Sequence, residues 1–314
     1  MLTDPNKVIL DSSKITEYMG CPRRFFYKYV LNWQPEESNI HLIFGEAFHR
    51  AKEYLFINGG TVQNVKIAME LFNDYYSQHF STIPNLNSVK TPGKANEALL
   101  HYIKTYGNIH DTYTPVLIGG KPATELYGTV PISADRLVHF RIDAIMREIK
   151  LNKIVVFDHK TASRDSAMYQ IQWTISTQML LYLHATNTIF NPNSVYGLVV
   201  DITIIRKNDV LQVRILVKKT IDFMNEWLIG LNRWVDSIFA DYKLLEDNIQ
   251  KGMQMTAFRK NSTNCTKWNR LCPYFDFCTA WYNPLEKIGT VPQGLVINEW
   301  DPGKPRDGKT SLTL

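Results

Sequence analysis

The chain has 314 residues, with 35 Lys and Arg against 30 Asp and Glu, for a net charge of +5. Its 45% hydrophobic and 21% charged residues exclude disorder over the whole length. Four cysteines are too few for a disulfide scaffold, and the mild positive charge permits an anionic partner without requiring one.

The first residues, Met1–Lys7, have no apolar stretch, so no secretory signal is expected. No apolar run is long enough to cross a membrane. A cytoplasmic location follows as an expectation, in a bacterium or, for a phage-encoded chain, in its host. In that reducing setting cysteines serve as thiols or metal ligands. The sequons at Asn261 and Asn264 then carry no meaning.

Ser12-Ser13 predicts the cap of a short helix ending near Gly20-Cys21-Pro22. Phe44, Phe48, Ala51 and Leu55 recur at helical spacing and predict a helix over 42–57, stopped by Gly59-Gly60. Further helices are expected over 62–80 and 95–106, with a loop over 82–93. Strands are expected over 123–133, 136–148 and 153–160. A helical run over 166–186 follows, then strands over 194–205 and 210–217. A long amphipathic helix is expected over 219–249. This is a mixed α/β pattern, a small central sheet flanked by helices. One domain over 1–300 is expected. Its helical part lies at about 12–110, its sheet core at 123–217, and its last helix and cysteine segment at 219–282. A flexible tail over 303–314 follows.

The chemistry concentrates in Asp143 and in Asp158-His159-Lys160-Thr161. If Glu148 pairs with Lys153 around a four-residue loop, Asp143 falls opposite Asp158. Alternation puts Asp158 and Lys160 on one face. Two carboxylates that close repel unless a positive charge sits between them, and Mg²⁺ or Mn²⁺ suits hard oxygen ligands. On the residues alone, a cross-strand salt bridge on a solvated face is the commoner explanation of such a trio. His49, at the edge of an apolar stripe, reads as a packed imidazole or as a ligand. Gln178 and Tyr182, four residues apart, share a helical face and read as packing or as site residues. Glu125, near the start of the first central strand, is a possible second acid.

Together, Asp143 and the Asp158–Thr161 run resemble the PD-(D/E)XK nuclease superfamily, and its RecB-like branch in particular. Gly45–His49 resembles that branch's upstream His helix, and Gln178–Tyr182 its Gln-x-x-x-Tyr motif. The resemblance implies a restriction-endonuclease-like core and a metal-dependent DNA nuclease, with exonuclease action in repair, recombination or phage DNA processing. It implies His49, Asp143, Asp158 and the carbonyl of His159 as metal ligands. It gives Lys160 a part in hydrolysis and assigns Gln178 and Tyr182 to DNA contact or to steadying the lysine.

The cysteines fall as one plus three, Cys21 and then Cys265, Cys272 and Cys278, without a C-x-x-C knuckle. This layout resembles the iron–sulfur subset of RecB-like nucleases, such as AddB-type subunits and CRISPR-adaptation nucleases. It implies a structural [4Fe–4S] cluster joining the termini, with Zn²⁺ as the alternative. Cys265 departs from the pattern, with six residues to Cys272 where the family shows two.

Arg23, Arg24 and Lys28, interleaved with Phe25, Phe26, Tyr27 and Tyr29, could follow a phosphate backbone or be a solvated helix edge over packed aromatics. Expected partners are DNA, with single-stranded ends, and a helicase or recombination protein. A cluster-stapled, non-catalytic DNA-binding subunit is the other function this pattern allows. Gly303–Thr310 matches G-x-x-x-x-G-K-T, but four residues cannot supply the helix a P-loop needs.

Overall fold

The computed structural model describes residues 8–36, 40–80, 88–267, 270–303 and 311–313. In chain order the elements are α1 (Ser12–Gly20), α2 (Pro22–Phe25) with a π-turn (Phe26–Val30), β1 (Trp33–Pro35), α3 (Ile40–Asn58), α4 (Val62–His79) and α5 (Pro92–Tyr106). Then come β2 (Tyr113–Pro115), β3 (Leu117–Ile118), β4 (Lys121–Pro122), β5 (Thr124–Ser133), β6 (Arg136–Glu148) and β7 (Lys153–Ala162). The rest are α6 (Ala167–Ile171), α7 (Thr177–Ile189), β8 (Val195–Ile205), β9 (Val210–Val217), α8 (Ile221–Gln250), α9 (Phe275–Ala280), β10 (Leu295–Ile297) and β11 (Ser311–Thr313).

The expected strands and long helices are present within a few residues. Three differences stand out. The cap of α1 is Asp11, whose carboxylate accepts from the Lys14 amide, so Ser12 is already helical. The run over 166–186 is broken by a 3₁₀ turn, Gln172–Ile175, and α7 starts afresh at Thr177. The tail expected to be flexible instead supplies β11, which pairs in parallel with β5 from Tyr127 to Thr129. Gly128 permits this, because a Cβ there would collide with the Leu312 backbone. The P-loop-like stretch, apart from Gly303, lies outside the described residues.

The chain divides into two compact units. One comprises 1–38, 131–139 and 222–304; the other comprises 39–130, 140–221 and 305–314. The first unit is built on aromatic packing. Phe25 stacks on Phe258, Tyr27 on Trp33, and Phe277 meets both Tyr27 and Trp33 edge-on. Long-range hydrogen bonds tie its segments together. Tyr18 donates to Asp241 on α8 (2.6 Å), Tyr274 donates to the Trp33 carbonyl (2.7 Å), and β1 pairs with β10.

The second unit holds most of a mixed sheet in the order β11-β5-β6-β7-β8-β9, with β2 also on β6. β6 and β7 are antiparallel, β7 and β8 parallel, and β8 and β9 antiparallel. The parallel pair requires a crossover, which α6 and α7 supply. Helices α3, α4 and α5 pack Phe44, Phe48, Phe72, Ala98 and Leu99 into one apolar cluster. Phe56, Tyr102, Met146 and Phe157 form another against the sheet. Both strands of the β6–β7 pair are mostly buried, so their register is strongly specified.

Candidate active site

The β6–β7 hairpin has the expected register. Glu148 pairs with Lys153, and the ladder runs to Ala144 opposite Phe157. Its turn ends at Asn152 in the left-handed region (φ 52°), a conformation Asn tolerates. The next positions are Asp143 and Asp158, 8% and 0% exposed. The Asp143 carboxylate accepts the His159 backbone N–H at 2.6 Å.

The two acids face different counter-charges. Asp158 faces Lys160, whose Nζ lies 2.9 Å and 2.7 Å from its two oxygens. Asp143 faces His49 Nδ1 at 3.5 Å, and Glu125 lies 4.0 Å from the same nitrogen. His49, Glu125 and Asp143 each present a ligand atom within 4.8 Å of the others. Asp158, expected as a ligand, is outside this group, and Glu125 is inside it. The donor set of one imidazole and two buried carboxylates fits a divalent cation with open positions for water and substrate.

Glu125 also sits in a strained conformation, φ 45°, although it is neither Gly nor Asn. Such a backbone costs about 1–3 kcal/mol and persists where surrounding structure imposes it, often at active sites. In the sequence, only its place at the start of a strand marked it. Its positive φ and its approach to His49 are properties of the fold.

Electrostatics set these groups apart. Burial works against charge on His49, but Asp143 and then Glu125 outweigh it and carry the imidazole up to about 9. Burial likewise opposes ionisation of Asp143, yet His49, then His159 and Lys160, hold its carboxyl well below the usual range. Asp158 is pushed up to about 6 by burial, with Asp143 adding to the rise and Lys160 opposing it. Two neighbouring acids with opposite displacements are the pattern expected of a working site.

Gln178 donates to the Tyr182 hydroxyl at 3.0 Å. Tyr182 is buried, and its pKa is raised well above the usual value by burial and then by Asp158 and Asp143, so it belongs to the electrostatic surroundings of the acids. Lys160 also lies 5.4 Å from the Trp173 ring, on the 3₁₀ turn. The side chain of His159 packs edge-on against the His49 ring, centroids 6.0 Å apart. Its ring faces Asp201, Nδ1 to Oδ2 3.3 Å.

In the first unit, all four cysteines are unpaired and half-buried. They line one cavity of about 110 Å³ together with Arg24, Tyr27 and Tyr274. The Asn261 and Asn264 amides both donate to the Gly20 carbonyl (2.8 and 2.6 Å), which holds the later segment against the residue preceding Cys21. Cys272 donates its amide to the Cys265 carbonyl at 2.8 Å, so the six-residue spacing closes into a loop. The sequons thus serve as internal clamps.

The basic cluster divides. Arg23 is buried and its Nε donates to the Phe258 carbonyl at 2.9 Å, a packing role. Arg24 and Lys28 share Glu17. Phe25, Phe26, Tyr27 and Tyr29 are core residues, all under 10% exposed.

A family model of the PD-(D/E)XK nuclease superfamily matches residues 12–279. The chain belongs to that superfamily of nucleases, which use divalent metals. A solved structure described as "Crystal structure of SSO0001" is 14% identical and covers 76% of this chain and 78% of that one, with a TM-score of 0.34. No curated protein matches. Among the described residues, no helix is long and apolar enough to cross a membrane.

Proposed function

We propose that this chain is a Mg²⁺- or Mn²⁺-dependent DNA exonuclease of the RecB-like kind, acting on strand ends in repair, recombination or phage DNA processing. The observation that carries the reading is the meeting of His49, Glu125 and Asp143 within 4.8 Å, with the Lys160–Asp158 pair on the adjoining strand. A divalent ion held by these three would supply an activated water and charge stabilisation at the phosphate. The chain's own residues do the rest. Asp158 and the His159 carbonyl would offer further oxygens to such an ion. Lys160, paired with Asp158, would balance the charge that builds on the scissile phosphate. Gln178 holds the Tyr182 hydroxyl beside the acids and so limits how the lysine and substrate sit. Arg24 and Lys28, partly exposed, are the cations assigned to the DNA backbone.

The four cysteines are assigned to a structural [4Fe–4S] cluster. What supports the assignment is that all four line one cavity. Protein purified anaerobically should be brown with broad visible absorbance. Colourless protein with stoichiometric zinc would overturn the assignment.

The activity is tested with single- and double-stranded DNA labelled at either end. An exonuclease releases short products from one labelled end first. Internal fragments from both labels alike would make the protein an endonuclease. Metal-independent binding without cleavage would leave it a DNA-binding subunit.

A further inference from the structure

Beneath the candidate metal group lies a second polar cluster that the proposed chemistry does not use. Lys52 and Asp201 are 0% and 1% exposed, and Lys52 Nζ lies 2.9 Å from Asp201 Oδ2. The same oxygen accepts from the Tyr102 hydroxyl at 2.9 Å and faces His159 Nδ1 at 3.3 Å. Arg214 reaches Asp201 Oδ1 at 3.3 Å and Tyr102 at 2.7 Å. The Lys52 ammonium also rests 2.8 Å from the centre of the Tyr102 ring. One carboxylate thus binds residues of α3, α5, β7 and β9 to β8.

Two of these links lead directly to the metal group. Lys52 follows His49 by three residues, so both project from one face of α3. Fixing Lys52 to the sheet fixes the rotation and height of the helix, and therefore how far His49 reaches toward Asp143 and Glu125. The second link is His159. Its ring is held by Asp201 on one face of β7, while its backbone N–H donates to the Asp143 carboxylate. Phe56, one turn beyond Lys52 on α3, packs on the same ring at 4.6 Å. A buried ion pair is weak support for stability, since an apolar pair of equal volume often does as well, so its presence here calls for another role.

We propose that Lys52 and Asp201 are positioning residues that set the spacing of His49 and Asp143, and hence the affinity of the site for divalent metal. The inference rests on the reading that His49, Glu125 and Asp143 bind the metal. Groups that orient metal ligands typically cost 10–100-fold in affinity when changed.

The test is a Mn²⁺ titration of metal-free protein, followed by electron paramagnetic resonance of the free ion. It compares wild type, Lys52→Met and Leu99→Ala, alongside thermal unfolding. Leu99 is fully buried in the same unit, in the α3–α5 cluster, and carries no polar side-chain group. The inference expects Lys52→Met to weaken Mn²⁺ binding by about tenfold or more. It expects Leu99→Ala to lower the melting temperature without changing Mn²⁺ affinity. If Lys52→Met fails to fold, Tyr102→Phe, which removes one hydrogen bond from Asp201 and keeps the ring, decides the matter with a severalfold loss. Equal affinity in wild type and the folded variant would overturn the inference alone. Absence of Mn²⁺ binding in wild type would overturn the metal-site reading, and this inference with it.

Discussion

Asp158 is a fully buried carboxylate that faces the Lys160 ammonium. Its pKa stands at about 6 against an ordinary 3.8, raised first by burial and then by Asp143. The folded protein therefore binds a proton there more tightly than the unfolded chain does. Between about pH 4 and 6 the folded state holds more protons, so stability falls as pH rises through that window. Two units of displacement correspond to at most roughly 3 kcal/mol at pH 7, and partial solvation of Lys160 reduces this. Asp158→Asn keeps the shape and removes the charge, so it should stabilise metal-free protein by about 1–2 kcal/mol at pH 7.5. The gain should vanish near pH 4. The assay is urea unfolding in chelator at pH 4, 5, 6 and 7.5, read as the difference between variant and wild type. With Mn²⁺ added, the order should reverse, because only wild type gains a full set of ligands. A variant less stable than wild type at pH 7.5 in chelator, or a difference independent of pH, would refute this account of the site.

Other outcomes follow from the same geometry. His49 titrates near 9 in the metal-free protein, so metal must displace its proton, and Mn²⁺ affinity should rise with pH from about 7 to 9. Calorimetry in buffers of different ionisation enthalpy should show that proton leave; equal heats would contradict it. Glu125→Gly relieves the left-handed backbone yet removes a ligand, so stability in chelator should hold or rise while Mn²⁺ binding weakens by about tenfold. Cys21→Ser and Cys272→Ser should each lose the visible absorbance and lower the melting temperature, as judged by absorbance and thermal unfolding. If either serine variant keeps its colour and melting temperature, that cysteine is not a ligand.

The hairpin was legible because strand alternation and one four-residue turn fix which side chains share a spot. That placed Asp143, Asp158 and Lys160 together, while their role came from the resemblance. The helix bearing His49 was legible from the spacing of Phe44, Phe48 and Leu55. What lay hidden depended on contacts far apart in sequence. Glu125 joins the site through an unusual backbone torsion that no pattern announces. No motif in the sequence marks Asp201, within an apolar strand, or Lys52, on a helix. Their pairing appears only once α3 crosses the sheet. Arg23, beside aromatics, reads as a phosphate contact or a solvated cation; in the fold it is buried and its Nε donates to the Phe258 carbonyl. The break at 172–175 escaped a reading by periodicity, because the apolar pattern continues through it.

The central claim is that the His49–Glu125–Asp143 group, with Lys160, makes this chain a metal-dependent nuclease. The direct measurement is the cleavage rate of end-labelled DNA by wild type, Asp143→Ala and Lys160→Ala, with Mn²⁺ and with chelator. The account predicts cleavage by wild type that chelator abolishes, and losses of at least about 100-fold in both variants. Undiminished cleavage by either variant, or cleavage that survives chelator, would contradict it.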